Sequence, residues 1–251
     1  MRPARMVLVV ANAGDAVASA FVRRYARQGA RLLRPGDLSR SGWRYELGDH
    51  VGPSQAVVGG RVCRETRLAG VITRLASVTP EDLPHIEPAD RAYVAQEMQA
   101  FLSAWLHMLP CPVMNRPTPV CLAGEWWSPQ MWMHRACRLG IPVARSEWWV
   151  VQGRRTKAIQ QVRGESSTAD ITVVGSQIIG NAVPRVVQYA SRLAQAAELD
   201  FVTVRFSSPN DDAQFLDAGL WPNLADRTIG AAAMRHVMRQ CPSVRREAVS
   251  A

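Results

Sequence analysis

The sequence is poor in lysine, in paired cysteines and in long apolar runs. Lys157 is the single lysine among 30 basic residues, so arginine carries almost all of the net charge of +9. The five cysteines form no Cys-x-x-Cys pair, and their odd number argues against a disulfide framework. No apolar run approaches the roughly 20 residues that span a bilayer. The early run 6–13 is too short for a signal-peptide core with a cleavage site behind it, so we expect a cytoplasmic protein without a membrane segment.

A strongly basic balance can indicate nucleic acid, a membrane surface or an acidic partner. Here the arginines are spread along the whole chain, and no cluster alternates with aromatic residues as a base-stacking surface would. The sequence therefore argues against a nucleic-acid partner and leaves an acidic peptide or protein as the hypothesis. The densest basic clusters are Arg23-Arg24, Arg61/Arg64/Arg67, Arg154-Arg155-Lys157 and Arg245-Arg246.

Apolar periodicity predicts a mixed α/β chain. A buried strand at 6–11, a helix over 16–28 capped by Asp15 and a second strand at 31–34 form a βαβ opening with a parallel sheet. The stretch 152–168 is polar, lacks periodicity and is predicted to be the flexible segment of the chain. The other predicted elements are hairpins at 55–63 and 169–180, a strand at 68–75, helices at 89–109, 128–139, 184–198 and 226–240, and strands at 201–206 and 213–217.

Four segments in collinear order carry a family resemblance. They are Val7 to Asp15, Glu97 to Pro119 with its Asn115-Arg-Pro turn, Trp132 to Val143 ending Gly-Ile-Pro-Val, and Asp170 to Leu224. In this order they resemble the ATP-grasp superfamily, and within it peptide-maturation ligases and ribosomal-protein glutamate ligases. No single segment is a specific motif, and the order gives the resemblance its weight.

The resemblance implies an α/β protein with a pre-ATP-grasp, Rossmann-like N-terminal domain followed by an ATP-grasp C-terminal lobe. On this basis we expect a pre-ATP-grasp-like domain over 1–122, a linker helix and strand over 123–150, and a reduced ATP-grasp-like lobe over 151–251. The chain looks like a truncated, degenerate member, because it is shorter than the family usually runs. The family places a lysine-bearing strand, a glycine-rich flap and a second lysine between residues equivalent to 151 and 170, where this chain has about twenty residues.

The family also holds magnesium with three acidic or amide side chains near its C-terminal end. In this sequence the first of these positions falls near Arg205, the second on Asp217 and the third on Gly219. A cation and a glycine replace two oxygen ligands, although hard cations such as magnesium need oxygen donors. The resemblance therefore leaves Asp217 as the single candidate metal ligand.

Two functions remain open from the resemblance, and a third hypothesis comes from the residues alone. The favoured one is a non-catalytic binding or scaffold subunit for a peptide or protein partner in a modification or biosynthetic pathway, with no cofactor. The alternative is an active minimal ATP-dependent carboxylate-amine ligase, with ATP and Mg as cofactors. It would use Asp217 on the metal and basic residues on phosphate, namely Arg145, Arg154, Arg155 and Lys157. The third is an unrelated enzyme whose Asn12–Asp15 turn receives an anion, although we favour an ordinary helix cap as the role of Asp15.

A partner surface is predicted from tryptophan and arginine. Most of the eight tryptophans lie near the junction between the two predicted parts, and tryptophan is enriched at interfaces. The same pattern would arise if the rings filled a core between the lobes. The candidate partner-binding residues are Trp126, Trp127, Trp148, Trp149, Arg61 and Arg64.

Overall fold

The computed structural model describes residues 5–45, 54–144, 146–151, 154–159 and 168–239, with backbone alone for the strands within 146–159. The described helices are α1 Ala16–Tyr25, α2 Arg91–Met108, α3 Pro129–Arg138, α4 Pro184–Ala196 and α5 Arg227–Arg239. The described strands are β1 Met6–Val10, β2 Ala30–Leu33, β3 Gln55–Val58, β4 Arg61–Arg64, β5 Leu68–Thr73, β6 Val113–Met114, β7 Ser146–Val151, β8 Arg154–Ile159, β9 Ala169–Val174, β10 Gln177–Ile179, β11 Phe201–Phe206 and β12 Phe215–Gly219.

The chain divides into two units. The first contains Met1–Trp126 and Asn223–Ala251, and the second contains Trp127–Pro222. A mixed α/β architecture was predicted and is confirmed, since the first unit holds a parallel sheet and the second an antiparallel one.

The first unit is built on a four-stranded parallel sheet in the order β2-β1-β5-β6. Strands β1 and β5 are almost entirely buried, as is typical of a parallel sheet with both faces covered. One face packs against a core that includes Leu102 and Trp105 of α2. The hairpin β3–β4 is a separate two-stranded sheet that turns at Gly59-Gly60, as the sequence predicted.

The C-terminal helix α5 packs on this first sheet, whereas the sequence assigned it to the C-terminal lobe. A glycine makes the close approach possible, because a Cβ on Gly70 of β5 would lie 2.8 Å from Cβ of Val237 in α5. This contact joins segments more than 150 residues apart, so local sequence patterns could not predict it.

The second unit is built on an antiparallel sheet in the order β10-β9-β11-β12. Helix α4 covers one face, where Tyr189 contacts the ring of Phe206. Helix α3 begins at Pro129, and its predicted cap Ser128 accepts a hydrogen bond from the backbone N–H of Met131. Arg192 of α4 donates to the carbonyl oxygen of Leu139, so the two helices of this unit are tied together.

The sequence predicted no strand within the segment 152–168, whereas the structure has one at Arg154–Ile159. These residues form β8, which pairs with β7 in an antiparallel ladder. The sequence Arg-Arg-Thr-Lys lacks the apolar alternation of a half-buried strand, so its strand structure comes from backbone pairing with β7. Within the described residues, no helix has both the length and the hydropathy needed to cross a membrane.

Candidate functional site

The candidate site in the second unit is a row of three charged residues across neighbouring strands. Arg205 of β11 lies opposite Asp170 of β9 on one side and opposite Asp217 of β12 on the other. The next row on the same face contains Thr172, Thr203 and Gly219. The row is exposed, on the face turned away from the Tyr189 contact.

Arg205 forms a two-pronged ion pair with Asp170. Its Nε donates to Oδ1 at 2.7 Å and its Nη2 donates to Oδ2 at 3.2 Å. This fork geometry is the one that suits a guanidinium and a carboxylate. The hydrogen bond and charge of Asp170, with a smaller effect of the Asp217 charge, raise the pKa of Arg205 above its ordinary value. Arg205 therefore carries a permanent positive charge between two carboxylates.

Asp217 and Gly219 lie one row apart on the same face of β12. The Asp217 carboxylate accepts a hydrogen bond from the backbone N–H of Ala218 at 2.8 Å and lies across the ladder from Arg205. Gly219 has open space where a side chain would be. A larger side chain with a ligand atom would fit there, but the sequence has a glycine. Among the described residues, no group of three histidine, cysteine, aspartate or glutamate side chains could hold a metal ion. This donor set does not fit magnesium, because the guanidinium of Arg205 is paired with Asp170 and lies across the ladder from Asp217, and Gly219 offers no side-chain oxygen.

The side chains of all four predicted phosphate-binding residues lie outside the described part of the structure. Arg145 lies outside the described residues, and Arg154, Arg155 and Lys157 lie in β8, where the description covers the backbone. The ladder pairs Lys157 with Trp148, and Arg155 with Val150. Whether these cations share a site with Asp217 therefore stays a prediction.

The predicted tryptophans separate into different environments. Trp126 is 50% exposed, and its chain neighbour Trp127 is half-buried. The Trp127 ring packs edge-on against buried Trp132, and the guanidinium of Arg135 lies 5.1 Å from its centroid. The side chains of Trp148 and Trp149 lie outside the description. Trp127 thus packs against Trp132 within its own unit, whereas Trp126 is exposed at the surface.

The Asn12–Asp15 turn is a helix cap. One oxygen of Asp15 accepts from the backbone N–H of Ala18, and the other accepts from Nε of Arg74 at 2.8 Å. Both side chains of this ion pair are nearly buried. The carboxylate of the chain itself therefore lies where an incoming anion would bind, which favours the cap interpretation over an anion-binding turn.

Arg61 and Arg64 lie on the same exposed hairpin strand, β4. Arg61 lines a cleft of about 580 Å³ in the first unit, and Arg64 does not. Sequence reasoning found Arg61 and Arg67 through their spacing, but it missed the three other arginines of this cleft, which come from distant segments. These are Arg5, Arg31 and Arg34.

No protein-family model matches the sequence, and no curated protein matches it either. Solved structures do. A RiPP-associated ATP-grasp ligase of Chryseobacterium gregarium, in complex with ADP and a leader and core peptide, aligns with a TM-score of 0.66 and 8% identity, covering 95% of this chain and 97% of that one. The macrocyclase MdnC of Microcystis aeruginosa, bound with precursor peptide MdnA, gives 0.65 and 12%, covering 92% and 99%. The ATP-grasp ligase PsnB, complexed with minimal precursor, Mg and ADP, gives 0.62 and 14%, covering 93% and 98%.

The fold of this chain is therefore that of the ATP-grasp ligases of peptide maturation, as the order of the four segments predicted. At 8–14% identity the likeness concerns the fold, and the chemistry has to be argued from the residues of this chain.

Proposed function

We propose that this chain is a non-catalytic protein of the ATP-grasp fold, a pseudoenzyme. It binds a peptide or protein partner in a peptide-modification or biosynthetic pathway and needs neither ATP nor magnesium. In this proposal the first unit corresponds to the Rossmann-like pre-ATP-grasp domain and the second to a reduced ATP-grasp lobe. The protein would act in the cytoplasm.

One observation carries the proposal, namely the row formed by Asp170, Arg205 and Asp217. Phosphoryl transfer needs divalent cations that bridge the phosphate oxygens. In the positions that the resemblance assigns to metal ligands, this chain has a guanidinium and a glycine. The guanidinium is paired with one carboxylate and faces the other. A metal ion there would have to displace a charged group that already neutralises its ligands.

The peptide partner is supported by the structural neighbours. All three that are described above were determined with a leader and core peptide, a precursor peptide or a minimal precursor. A protein that lost nucleotide chemistry could keep such a peptide-binding surface. Exposed Trp126 and the arginines of the first unit are the candidate contacts, since tryptophan and arginine dominate binding energy at interfaces.

An active minimal ligase is the competing function, and one observation favours it. Asp217 keeps a carboxylate on the exposed face of the sheet, and two of the neighbours carry ADP. Under this alternative Arg205 would have to leave Asp217 free for a metal, while basic residues of β8 would contact phosphate.

Rebuilding the ligand set tests the metal assignment. The double variant Arg205→Glu with Gly219→Asn restores two oxygen-bearing side chains, and Asn fits because open space surrounds Gly219. We expect the wild-type protein to show no Mn²⁺ binding in a titration followed by electron paramagnetic resonance, and the variant to gain it. Arg205→Gln with Gly219→Ala is the matched control that restores no ligand charge. Wild-type binding as strong as that of the rebuilt variant would contradict the proposal.

A further inference from the structure

The cleft of about 580 Å³ in the first unit combines five arginines with an apolar wall. It lies between the edge strand β2 and the hairpin β3–β4. Its arginines are Arg5, Arg31, Arg34, Arg61 and Arg67, and Met6, Leu32, Val58 and Val62 supply apolar surface. Its volume is within the range of about 300–1,000 Å³ that is typical of ligand sites.

Backbone geometry brings these arginines together. Gly29 has a φ of 92°, and a Cβ there would collide with the carbonyl oxygen of Arg5. Glycine therefore allows Arg5 to lie directly beside the start of β2. On the opposite side, the carboxylate of Asp37 accepts hydrogen bonds from the backbone N–H groups of Gly59 and Gly60, which fixes the turn that precedes Arg61.

Arg31, Arg34 and Arg61 place positive charge at the cleft. No carboxylate of a described residue lines this cleft. The two acidic residues nearest in sequence are used elsewhere, since Asp37 binds the backbone N–H groups of its turn and Glu65 accepts from the indole N–H of Trp105. Arg31 donates to the carbonyl oxygens of Ala26 and Ala30, which are uncharged acceptors and leave its charge in place.

We propose that this cleft binds the side-chain carboxylates of an acidic peptide segment. The inference rests on the proposed function, and it names the site and the chemistry of the partner. Guanidinium groups bind carboxylates through paired hydrogen bonds. Several guanidinium groups within one cleft can therefore bind several consecutive acidic side chains of one peptide. The apolar wall contacts the methylene groups and backbone of the same segment, which a small inorganic anion would leave uncovered.

Arg61 and Arg64 provide a matched test, because both are exposed on β4 and only Arg61 lines the cleft. The probe is a fluorescent peptide with eight glutamates, compared with one with eight glutamines, and binding is measured by fluorescence anisotropy. We expect the glutamate peptide to bind and the glutamine peptide not to bind. Arg61→Ala should weaken binding by roughly threefold to tenfold, and Arg64→Ala by less than about twofold, because one charged hydrogen-bonding group is lost from the site in the first case alone.

Cys63 reports whether the peptide occupies the cleft. Its half-buried thiol lines the cleft, whereas Cys137 is exposed on α3 of the other unit. Burial raises the pKa of the Cys63 thiol, so its reaction with iodoacetamide is slow and easily followed by mass spectrometry. Saturating glutamate peptide should slow alkylation of Cys63 several-fold and leave Cys137 unchanged.

Three outcomes would overturn the proposal. The first is equal weakening in Arg61→Ala and Arg64→Ala, which would indicate attraction by net charge alone. The second is unchanged alkylation of Cys63. The third is protection of Cys63 by inorganic phosphate with no binding of the glutamate peptide, which would make the cleft a small-anion site. A Mg-ATP titration of the same samples separates the two proposals, because nucleotide binding would contradict the non-catalytic function while leaving the cleft result intact.

Discussion

The two units use arginine in opposite ways. In the first unit five arginines line one cleft, and no described carboxylate lines it with them. In the second unit a single arginine lies between two carboxylates on neighbouring strands. The first arrangement gathers arginines at a cleft whose lining has no described carboxylate, whereas in the second Arg205 is paired with Asp170 and faces Asp217. We propose from this difference that an acidic partner binds the first unit and that the second unit does not bind a metal ion.

The largest expected effect tests how the cleft is built. Asp37 is buried, and its carboxylate accepts from the backbone N–H groups of Arg34, Gly59 and Gly60. Asp37→Ala leaves these donors unpaired and should lower the free energy of unfolding by about 3 kcal/mol. Urea denaturation measures this.

Asp82→Ala is the matched control for Asp37→Ala. Asp82 also caps a short helical turn through the backbone N–H and hydroxyl of Thr79, but it has no role in the cleft, and its loss should cost about 1 kcal/mol. Equal costs for the two variants would mean that Asp37 is an ordinary cap.

The second effect concerns the charged row of the second unit. Arg205→Glu replaces an attraction by repulsion among three carboxylates. Because the Arg205 side chain is 54% exposed, the expected loss of stability is only about 1 kcal/mol. Denaturation at 0.05 M and 0.5 M NaCl should show the loss shrinking as salt screens it. Arg205→Gln separates the lost ion pair from the new repulsion, and a loss that does not depend on salt would contradict the charge argument.

The third effect is the change in stability when an arginine is removed from the cleft of the first unit, to be compared with Arg205→Glu in the second. Removing an arginine from the cleft relieves repulsion among like charges, so Arg61→Ala should leave stability unchanged or raise it by a few tenths of a kcal/mol. Thermal denaturation without ligand measures it against Arg64→Ala. If Arg61→Ala destabilised the protein by as much as Arg205→Glu, Arg61 would be a structural residue and the contrast between the units would fail.

The smallest effect comes from Glu65. Burial raises the pKa of its carboxyl above the ordinary value of 4.5, so the folded state binds this proton more tightly than the unfolded state does. The resulting stability is present below pH 4.5 and is lost as the pH rises through the raised pKa of the folded state. Glu65→Gln keeps an acceptor for the Trp105 indole and removes the buried charge. A small rise in Tm at pH 7, with none at pH 4, is expected, and a fall at pH 7 would contradict the assignment.

Local patterns predicted the elements that depend on local chemistry. The strand at β1, the Asp15 and Ser128 caps and the Gly59-Gly60 turn each follow from residues within a few positions of one another. Strand β8 was missed because its structure comes from pairing with β7 rather than from its own alternation.

The candidate sites were predicted in part, because both are assembled from distant segments. The family resemblance identified Arg205 and Asp217, but the partner Asp170 is 35 residues away along the chain and meets Arg205 through the ladder between β9 and β11. Likewise, the spacing of Arg61 and Arg67 was visible, whereas Arg5 and Arg31 lie together through the parallel pairing of β1 with β2 and meet the hairpin through the contact between β2 and β3. The pairing of strands brings the residues of both candidate sites together, and a single sequence does not reveal that pairing.

We propose that this protein of the ATP-grasp fold does not bind ATP and magnesium. Isothermal titration of the wild-type protein with ATP and excess magnesium tests it most directly, with Asp217→Ala as the paired variant. The account predicts no heat of binding up to millimolar nucleotide for either protein. A sub-millimolar affinity in the wild type that is lost in Asp217→Ala would contradict it and establish Asp217 as a working metal ligand.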